Sequence, residues 1–163
     1  MILVSDANVL IDLGYVGGIH ILPQIAEAEV LDLVLLECEH PSQPNLIDDV
    51  KAAGIKVITV EQDWIDGADE YSGEGVLSLE DRVNIFYART FERTLLTGDM
   101  PIREVCTRVG IDIRGSFWIV REAFERGVVP ADELLRWLQV WPQKGRWLPK
   151  DELKKIEQLI RSR

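Results

Sequence analysis

Four carboxylates, Asp6, Glu37, Asp81 and Asp99, occupy related positions along the sequence. Asp6 follows the apolar segment at residues 2–5, and Glu37 ends the apolar segment at residues 31–37. Asp99 lies just past the segment at residues 94–97, and Asp81 lies in the first turn of the predicted helix that precedes that segment. If the four side chains converge, their charges repel one another unless a divalent cation lies among them. Oxygen ligands without His or Cys favour Mg²⁺ or Mn²⁺ over Zn²⁺. Such ions activate water and stabilise charge on a phosphodiester, so this set of residues predicts metal-dependent hydrolysis.

Nearby polar residues can support this arrangement, and each acid also has a purely structural interpretation. Asn8 and Thr97 have side chains that can hydrogen-bond carboxylates and fix their rotamers. Asp6 and Asp99 can instead be helix N-caps, and Asp81 stands three residues after Ser78, where an acid favours the helix N-terminus. Glu37 can be an ordinary surface charge. If all four acids have only structural roles, their placement at one edge of the fold is a coincidence.

The apolar segments predict strands that alternate with helices. This alternation is typical of a three-layer α/β/α fold with a central, mostly parallel sheet of about five strands. In such a sheet the carboxyl ends of the strands share one edge, where sites form. The predicted strands cover residues 2–5, 31–37, 55–60, 94–97 and 111–113, and residues 61–77 are predicted to be mostly loop.

Helical periodicity fills most of the remaining chain. The sequence Ser-Leu-Glu-Asp at 78–81 is a capping-box pattern that opens a long helix. We expect one domain over residues 1–127 and a helical extension over 128–163 that packs on it. In this extension Trp137 and Trp141 are spaced as core residues of one helix face, or as a hydrophobic patch for another chain.

Composition limits the class of protein. The 163 residues carry a net charge of −10 with 47% hydrophobic residues, which is typical of a globular domain and argues against nonspecific binding to nucleic acid. Residues 1–80 hold 16 Asp and Glu against two Lys and Arg, whereas residues 81–163 hold 12 against 16. No membrane span or signal peptide is expected, and two distant cysteines without a CxxC pattern favour the reducing cytoplasm.

Four segments together resemble the PIN domain family. They are Val-Ser-Asp6-Ala-Asn8, Asp32-Leu-Val-Leu-Leu-Glu37, Leu77-Ser-Leu-Glu-Asp81 and Leu95-Leu-Thr97-Gly-Asp99, in the order and spacing of that family. The segment Gly-Ile-Asp-Ile-Arg-Gly-Ser at 110–116 adds to the match, which covers about residues 1–127. The tail resembles that of bacterial and archaeal members with an extra pair of C-terminal helices.

The resemblance implies cleavage of single-stranded RNA by water activated at a Mg²⁺ or Mn²⁺ ion. By position, Asp6, Glu37, Asp81 and Asp99 would be the catalytic, metal-binding residues, and Asn8 and Thr97 would support them. It also implies a possible role as the toxin of a toxin–antitoxin pair of the VapC type, with an antitoxin protein partner, and a homodimer. Glu39, two residues after Glu37, stays open as the alternative ligand from the second strand.

Two other functions remain open. An aspartyl phosphohydrolase would use Asp6 as nucleophile, but that chemistry usually needs a second Asp where this chain has Asn8. A catalytically idle PIN-like module would use its acidic groove only for binding. Basic residues lie on the helix after Asp81 and near the C-terminus, where they can contact RNA phosphates, form a solvated helix face or balance the acidic half of the chain. They are Arg82, Arg89, Arg93, Lys144, Arg146, Lys150, Lys154 and Lys155.

Overall fold

A five-stranded, fully parallel sheet forms the centre of the molecule in the computed structural model, which describes residues 1–163. The bounds of the strands are β1 Ile2–Ser5, β2 Glu27–Leu31, β3 Lys56–Ile58, β4 Thr94–Leu96 and β5 Ile113–Arg114. They lie in the order β3-β2-β1-β4-β5, so the first strand of the chain is the central one.

Burial on both faces of the sheet follows from its strand sequences. In β1, Leu3, Val4 and Ser5 are consecutive and all fully buried, although alternate side chains of a strand point to opposite faces. Parallel sheets require this double cover, because each crossover places a helix on one face. The predicted three-layer α/β/α fold is therefore confirmed.

Ten α-helices surround the sheet. Their bounds are α1 Ala7–Tyr15, α2 Leu22–Ile25, α3 Asp32–Leu36, α4 Leu46–Ala52, α5 Gln62–Gly67, α6 Leu79–Thr90, α7 Met100–Val109, α8 Ser116–Glu125, α9 Ala131–Gln143 and α10 Lys150–Arg161. The ends of the helices follow local sequence signals: the Ser78–Asp81 capping box opens α6 as predicted, and Gly110, with φ of 81°, closes α7 in the left-handed conformation.

The prediction of a second strand over 31–37 is wrong. The strand is β2, which ends at Leu31, and residues 32–36 turn into the short helix α3. The Asp32 carboxylate accepts hydrogen bonds from the backbone N–H groups of Leu33 and Val60, at 2.8 and 3.2 Å, and so fixes this turn. An unbroken apolar run does not distinguish a buried strand from a buried helix, which explains the error.

The prediction of a loop over 61–77 is also only partly correct. Helix α5 and a 3-10 turn over Ala68–Tyr71 occupy its first half. They pack against α6, where Trp64 lies 5.1 Å from the Tyr87 ring and 5.3 Å from the Phe91 ring. Tertiary packing of aromatic rings therefore stabilises helix in a segment whose acidic, glycine-containing sequence indicates a loop.

The last two helices pack on the sheet domain through buried tryptophans. Trp137 and Trp141 of α9 are 2% and 0% exposed, and the indole Nε1 of Trp141 donates to the backbone oxygen of Asp12 at 2.7 Å. Helix α10 packs on α8 and α9. None of these helices has both the length and the apolar character needed to cross a membrane.

Candidate functional site

Asp6 lies at the carboxyl end of the central strand and is buried, with 5% of its surface exposed. Its backbone N–H continues the sheet by donating to Leu96 at 2.9 Å. Its Oδ1 caps α1 by accepting from the Val9 N–H at 2.8 Å, whereas Oδ2 is buried without a hydrogen-bond partner. One carboxylate oxygen is therefore used by the fold and the other remains available.

Burial controls the charge of Asp6. Desolvation raises the pKa of the carboxyl to about 7, and the negative charges of Asp12 and Asp81 add to the rise. The nearby Thr97 side chain and the Val9 N–H lower the pKa and oppose this effect. Asp6 thus takes its ionised form close to neutral pH, where a bound cation would favour it further.

A pocket of about 150 Å³ opens beside Asp6 at this edge of the sheet. Three of the four predicted acids line it, and their elements come from separate parts of the chain. Two asparagine side chains complete its polar surface. The lining residues are Asp6, Ala7, Asn8, Ile11, Val34, Glu37, Asp81 and Asn84.

Glu37 and Asp81 bring negative charge to the pocket from two different helices. Glu37 is the exposed C-cap residue of α3, and desolvation together with the charges of Glu80 and Asp81 raises its pKa. The Oδ2 of Asp81 accepts from the Ser78 N–H at 3.0 Å within the capping box. As at Asp6, the capping role of Asp81 uses one oxygen and leaves the other, Oδ1, without a hydrogen bond inside the protein.

Asp99 lies beyond β4 at the same sheet edge but does not line this pocket. Its Oδ1 caps α7 by accepting from the Ile102 N–H at 3.2 Å, and its own N–H donates to the Thr97 hydroxyl at 3.1 Å. Arg103 fixes the same turn by donating to the Thr97 backbone oxygen at 3.1 Å. A metal-binding role for Asp99 stays a prediction.

Asn8 connects the pocket to the C-terminal extension. Its Oδ1 accepts from the Arg146 Nη2 at 3.2 Å, and Arg146 Nε also pairs with Asp12 on α1. The second oxygen of Asp12 accepts from the Ser116 hydroxyl at 2.9 Å. Desolvation raises the pKa of Asp12, whereas the Arg146 charge and the two hydrogen bonds lower it.

The oxygen donors of the pocket fit a hydrated hard cation. Asp6 Oδ2 and Asn84 Oδ1 are both buried without a partner, and a buried oxygen of this kind is costly unless something pairs with it. No three His, Cys, Asp or Glu side chains are close enough to chelate an ion directly. Mg²⁺ does not require this, because it keeps several waters and uses one or two carboxylates with substrate phosphates.

Two residues of this region were not predicted from the sequence. Asn84 follows Asp81 by three positions on α6 and is only 2% exposed. A polar residue on the apolar face of an amphipathic helix is the sequence feature that could indicate its role in the pocket. Asn84 Nδ2 donates weakly to the Ser5 backbone oxygen at 3.4 Å. The contacts of Asp12 cannot be predicted from the sequence, because its partners Ser116 and Arg146 are more than 100 residues away in the chain.

Comparisons with known proteins identify the family and the fold of the chain. A family model described as a PIN domain matches residues 2–162. Among solved structures, the chain resembles PAE2754 from Pyrobaculum aerophilum with a TM-score of 0.55 and 17% identity, over 76% of this chain and 98% of that one. A likeness at this identity supports the fold alone. No curated protein matches the sequence.

Proposed function

Because the chain belongs to the PIN domain family, and because its pocket gathers oxygen donors at one sheet edge, we propose that it is a Mg²⁺- or Mn²⁺-dependent endoribonuclease of single-stranded RNA. The observation that carries this proposal is the pair of unpartnered buried oxygens, Asp6 Oδ2 and Asn84 Oδ1, beside Glu37 and Asp81. A cation held there would supply positive charge to the phosphodiester and lower the pKa of a water molecule.

The residues of the chain divide the remaining work. Asp6, Glu37 and Asp81 would hold the cation in part through its bound waters, with Asn84 as a neutral oxygen donor. The caps at Asp6 and Asp81 fix the carboxylates in one orientation, and such preorganisation limits the rearrangement needed when substrate binds. The carboxylates repel a phosphodiester that arrives without a cation, so binding of RNA and of metal should favour each other.

The proposal predicts metal-dependent cleavage of a labelled single-stranded RNA. We expect cleavage in Mn²⁺ or Mg²⁺, its loss in excess EDTA, and its recovery when Mn²⁺ exceeds the chelator. Gel analysis of the products measures all three, and an unstructured RNA can be compared with a duplex of the same sequence. Cleavage that continues in EDTA would contradict the proposal and indicate a contaminating nuclease or different chemistry.

The pocket also favours Glu37 over Glu39 as the ligand from this part of the chain, because only Glu37 lines it. We expect Glu37→Gln to lower the cleavage rate by at least about 10- to 100-fold, the loss typical of weakened metal binding. Glu39→Gln, an equal loss of charge at an exposed position two residues away, should keep the wild-type rate. Equal rates for the two variants would remove Glu37 from the site.

We propose further that the protein is the toxin of a toxin–antitoxin pair. A small nuclease that cleaves cellular RNA needs restraint, and a basic segment of an antitoxin protein could occupy the acidic pocket as RNA would. We propose such a partner and a homodimer on the basis of the family. The competing function is an idle binding module, which would bind a basic partner without cleaving RNA, and the EDTA experiment separates the two.

A further inference from the structure

The turn between α9 and α10 brings Arg146 next to the pocket and also carries a second positive charge and an exposed aromatic ring. This turn has the sequence Lys144-Gly145-Arg146-Trp147 and is called here the KGRW turn. Gly145 adopts φ of 74°, which favours glycine, and the Arg146 N–H donates to the Trp141 backbone oxygen at 3.0 Å. These features fix the turn rather than leaving it as a loose connection.

Arg146 is held by the protein on two sides of its guanidinium group. Nε pairs with Asp12, and Nη2 donates to the side-chain and backbone oxygens of Asn8 at 3.2 and 3.4 Å. Nη1 makes no hydrogen bond within the protein, and the side chain is 26% exposed. A planar guanidinium fixed in this way presents its remaining N–H groups to an anion with little further loss of entropy.

Trp147 follows immediately and is 77% exposed, so the fold gains little from it. Lys144 is exposed on the other side of the turn, with its Nζ 5.7 Å from the centre of the Tyr15 ring. Proteins that bind single-stranded nucleic acid combine such positive charges with aromatic rings on which unpaired bases stack. The charge of the turn is also opposite to that of the carboxylate pocket beside it.

We propose that the KGRW turn is an RNA-binding subsite next to the pocket, where Arg146 binds a backbone phosphate and Trp147 stacks on an unpaired base. The continuity through Asn8, which contacts Arg146 and lines the pocket, makes the bound strand continuous with the strand that is cleaved. The inference rests on the proposed function, because the same RNA occupies both places. It assigns the C-terminal extension a direct role in substrate binding.

Binding of a short fluorescein-labelled single-stranded RNA, measured by anisotropy, tests this subsite. All variants are made in the Asp6→Asn background with Mg²⁺ present, so that the RNA stays intact. We expect Trp147→Ala to weaken binding by roughly 5- to 100-fold, the range for one stacked base. Trp147→Phe should retain most of the affinity, because a phenyl ring also stacks. Lys56→Gln, which removes an exposed charge from the amino end of the edge strand β3, opposite the sheet edge that holds the pocket, should bind within about twofold of the parent.

Arg146 needs a second design, because its loss would leave Asp12 poorly solvated and without its counter-charge. The double variant Asp12→Asn/Arg146→Gln removes both charges together. We expect this variant to bind the RNA more weakly. The negative slope of log affinity against log salt concentration should also decrease in magnitude by about 0.7, the value for one phosphate contact on a single strand. A change in affinity with an unchanged slope would overturn the phosphate contact.

Other results would overturn the inference separately from the proposed function. If Trp147→Ala binds RNA as the parent does, the turn is not part of the RNA site, whatever the cleavage assay shows. If Trp147→Ala instead reduces the size of an oligomer on gel filtration without affecting RNA binding, the ring is a subunit contact. The proposed function is judged separately, by cleavage of RNA in the wild-type protein.

Discussion

Replacing Asp6 with asparagine is expected to lower RNA cleavage by more than about 100-fold, a larger loss than that for a residue that only supports a ligand. The carboxylate is the most buried acid of the pocket, and its Oδ2 has no other partner. A neutral amide at this position would bind a divalent cation weakly. The rate of cleavage of a labelled RNA at saturating Mn²⁺ measures the effect.

The same substitution should leave the fold intact. Asparagine is as good an N-cap as aspartate, so the hydrogen bond from the Val9 N–H can persist. The raised pKa of Asp6, about 7, means that the metal-free folded protein loses stability as pH rises from about 4 to about 7, because the folded state holds a proton that the unfolded state releases. The Asp6→Asn variant should lack this loss and be at least as stable as the wild type at pH 7.5.

A matched control is Asp69→Asn, which removes one exposed acid away from the pocket and should change neither rate nor stability. If the protein acts as a toxin, induced wild type should stop growth of its host and Asp6→Asn should not. Full cleavage activity in a folded Asp6→Asn protein would show that Asp6 is not a metal ligand and would remove the basis of the proposed function.

Mn²⁺ is expected to raise the melting temperature by about 5–10 °C when present at about 100 times its dissociation constant. Binding to the folded state alone stabilises by about 2.7 kcal/mol at that ratio, and a domain of this size shifts by about 2–4 °C per kcal/mol. A bound cation would offset the repulsion among the charges of Asp6, Glu37 and Asp81. Thermal unfolding followed by circular dichroism across a Mn²⁺ series measures the shift.

The shift should depend on pH in a defined direction. Below pH 7 the cation must displace the proton held by Asp6, so a given Mn²⁺ concentration should stabilise less at pH 6 than at pH 7.5. Asp6→Asn should abolish most of the shift at both pH values. A melting temperature that does not respond to Mn²⁺ at either pH would contradict a preformed cation site.

The sequence predicts that Asp6, Asp81 and Asp99 lie at helix N-termini, because the side chain of each takes part in an N-terminal cap, although Asp99 does not line the pocket. Capping signals are local, so the strand before Asp6 and the helix after Ser78 lie where the sequence indicates. Glu37 lines the pocket from a different element of secondary structure than the one predicted. The sequence indicates a strand end, but the residue closes a short helix whose start depends on the contact between Asp32 and the distant Val60 N–H.

The remaining parts of the site depend on contacts that no local pattern encodes. Asn84 is a pocket residue because α6 crosses the end of β1, and its side chain reaches the Ser5 backbone oxygen. The pairing of Asp12 with Arg146 joins residues 134 positions apart. Propensity and periodicity act over a few turns, so they give the elements and their edge but not which side chains meet there.

The bond between Arg146 and Asp12 makes the two ends of the chain interdependent. When the last two helices detach in a local opening, Asp12 loses its counter-charge and Asn8 loses the donor that orients it. We therefore expect opening of the tail and disorder of the pocket to occur as one cooperative unit. Substrate bound to both the pocket and the KGRW turn would oppose this opening. Amide hydrogen exchange in α9 and α10, far from the carboxylates themselves, would therefore slow when RNA is bound.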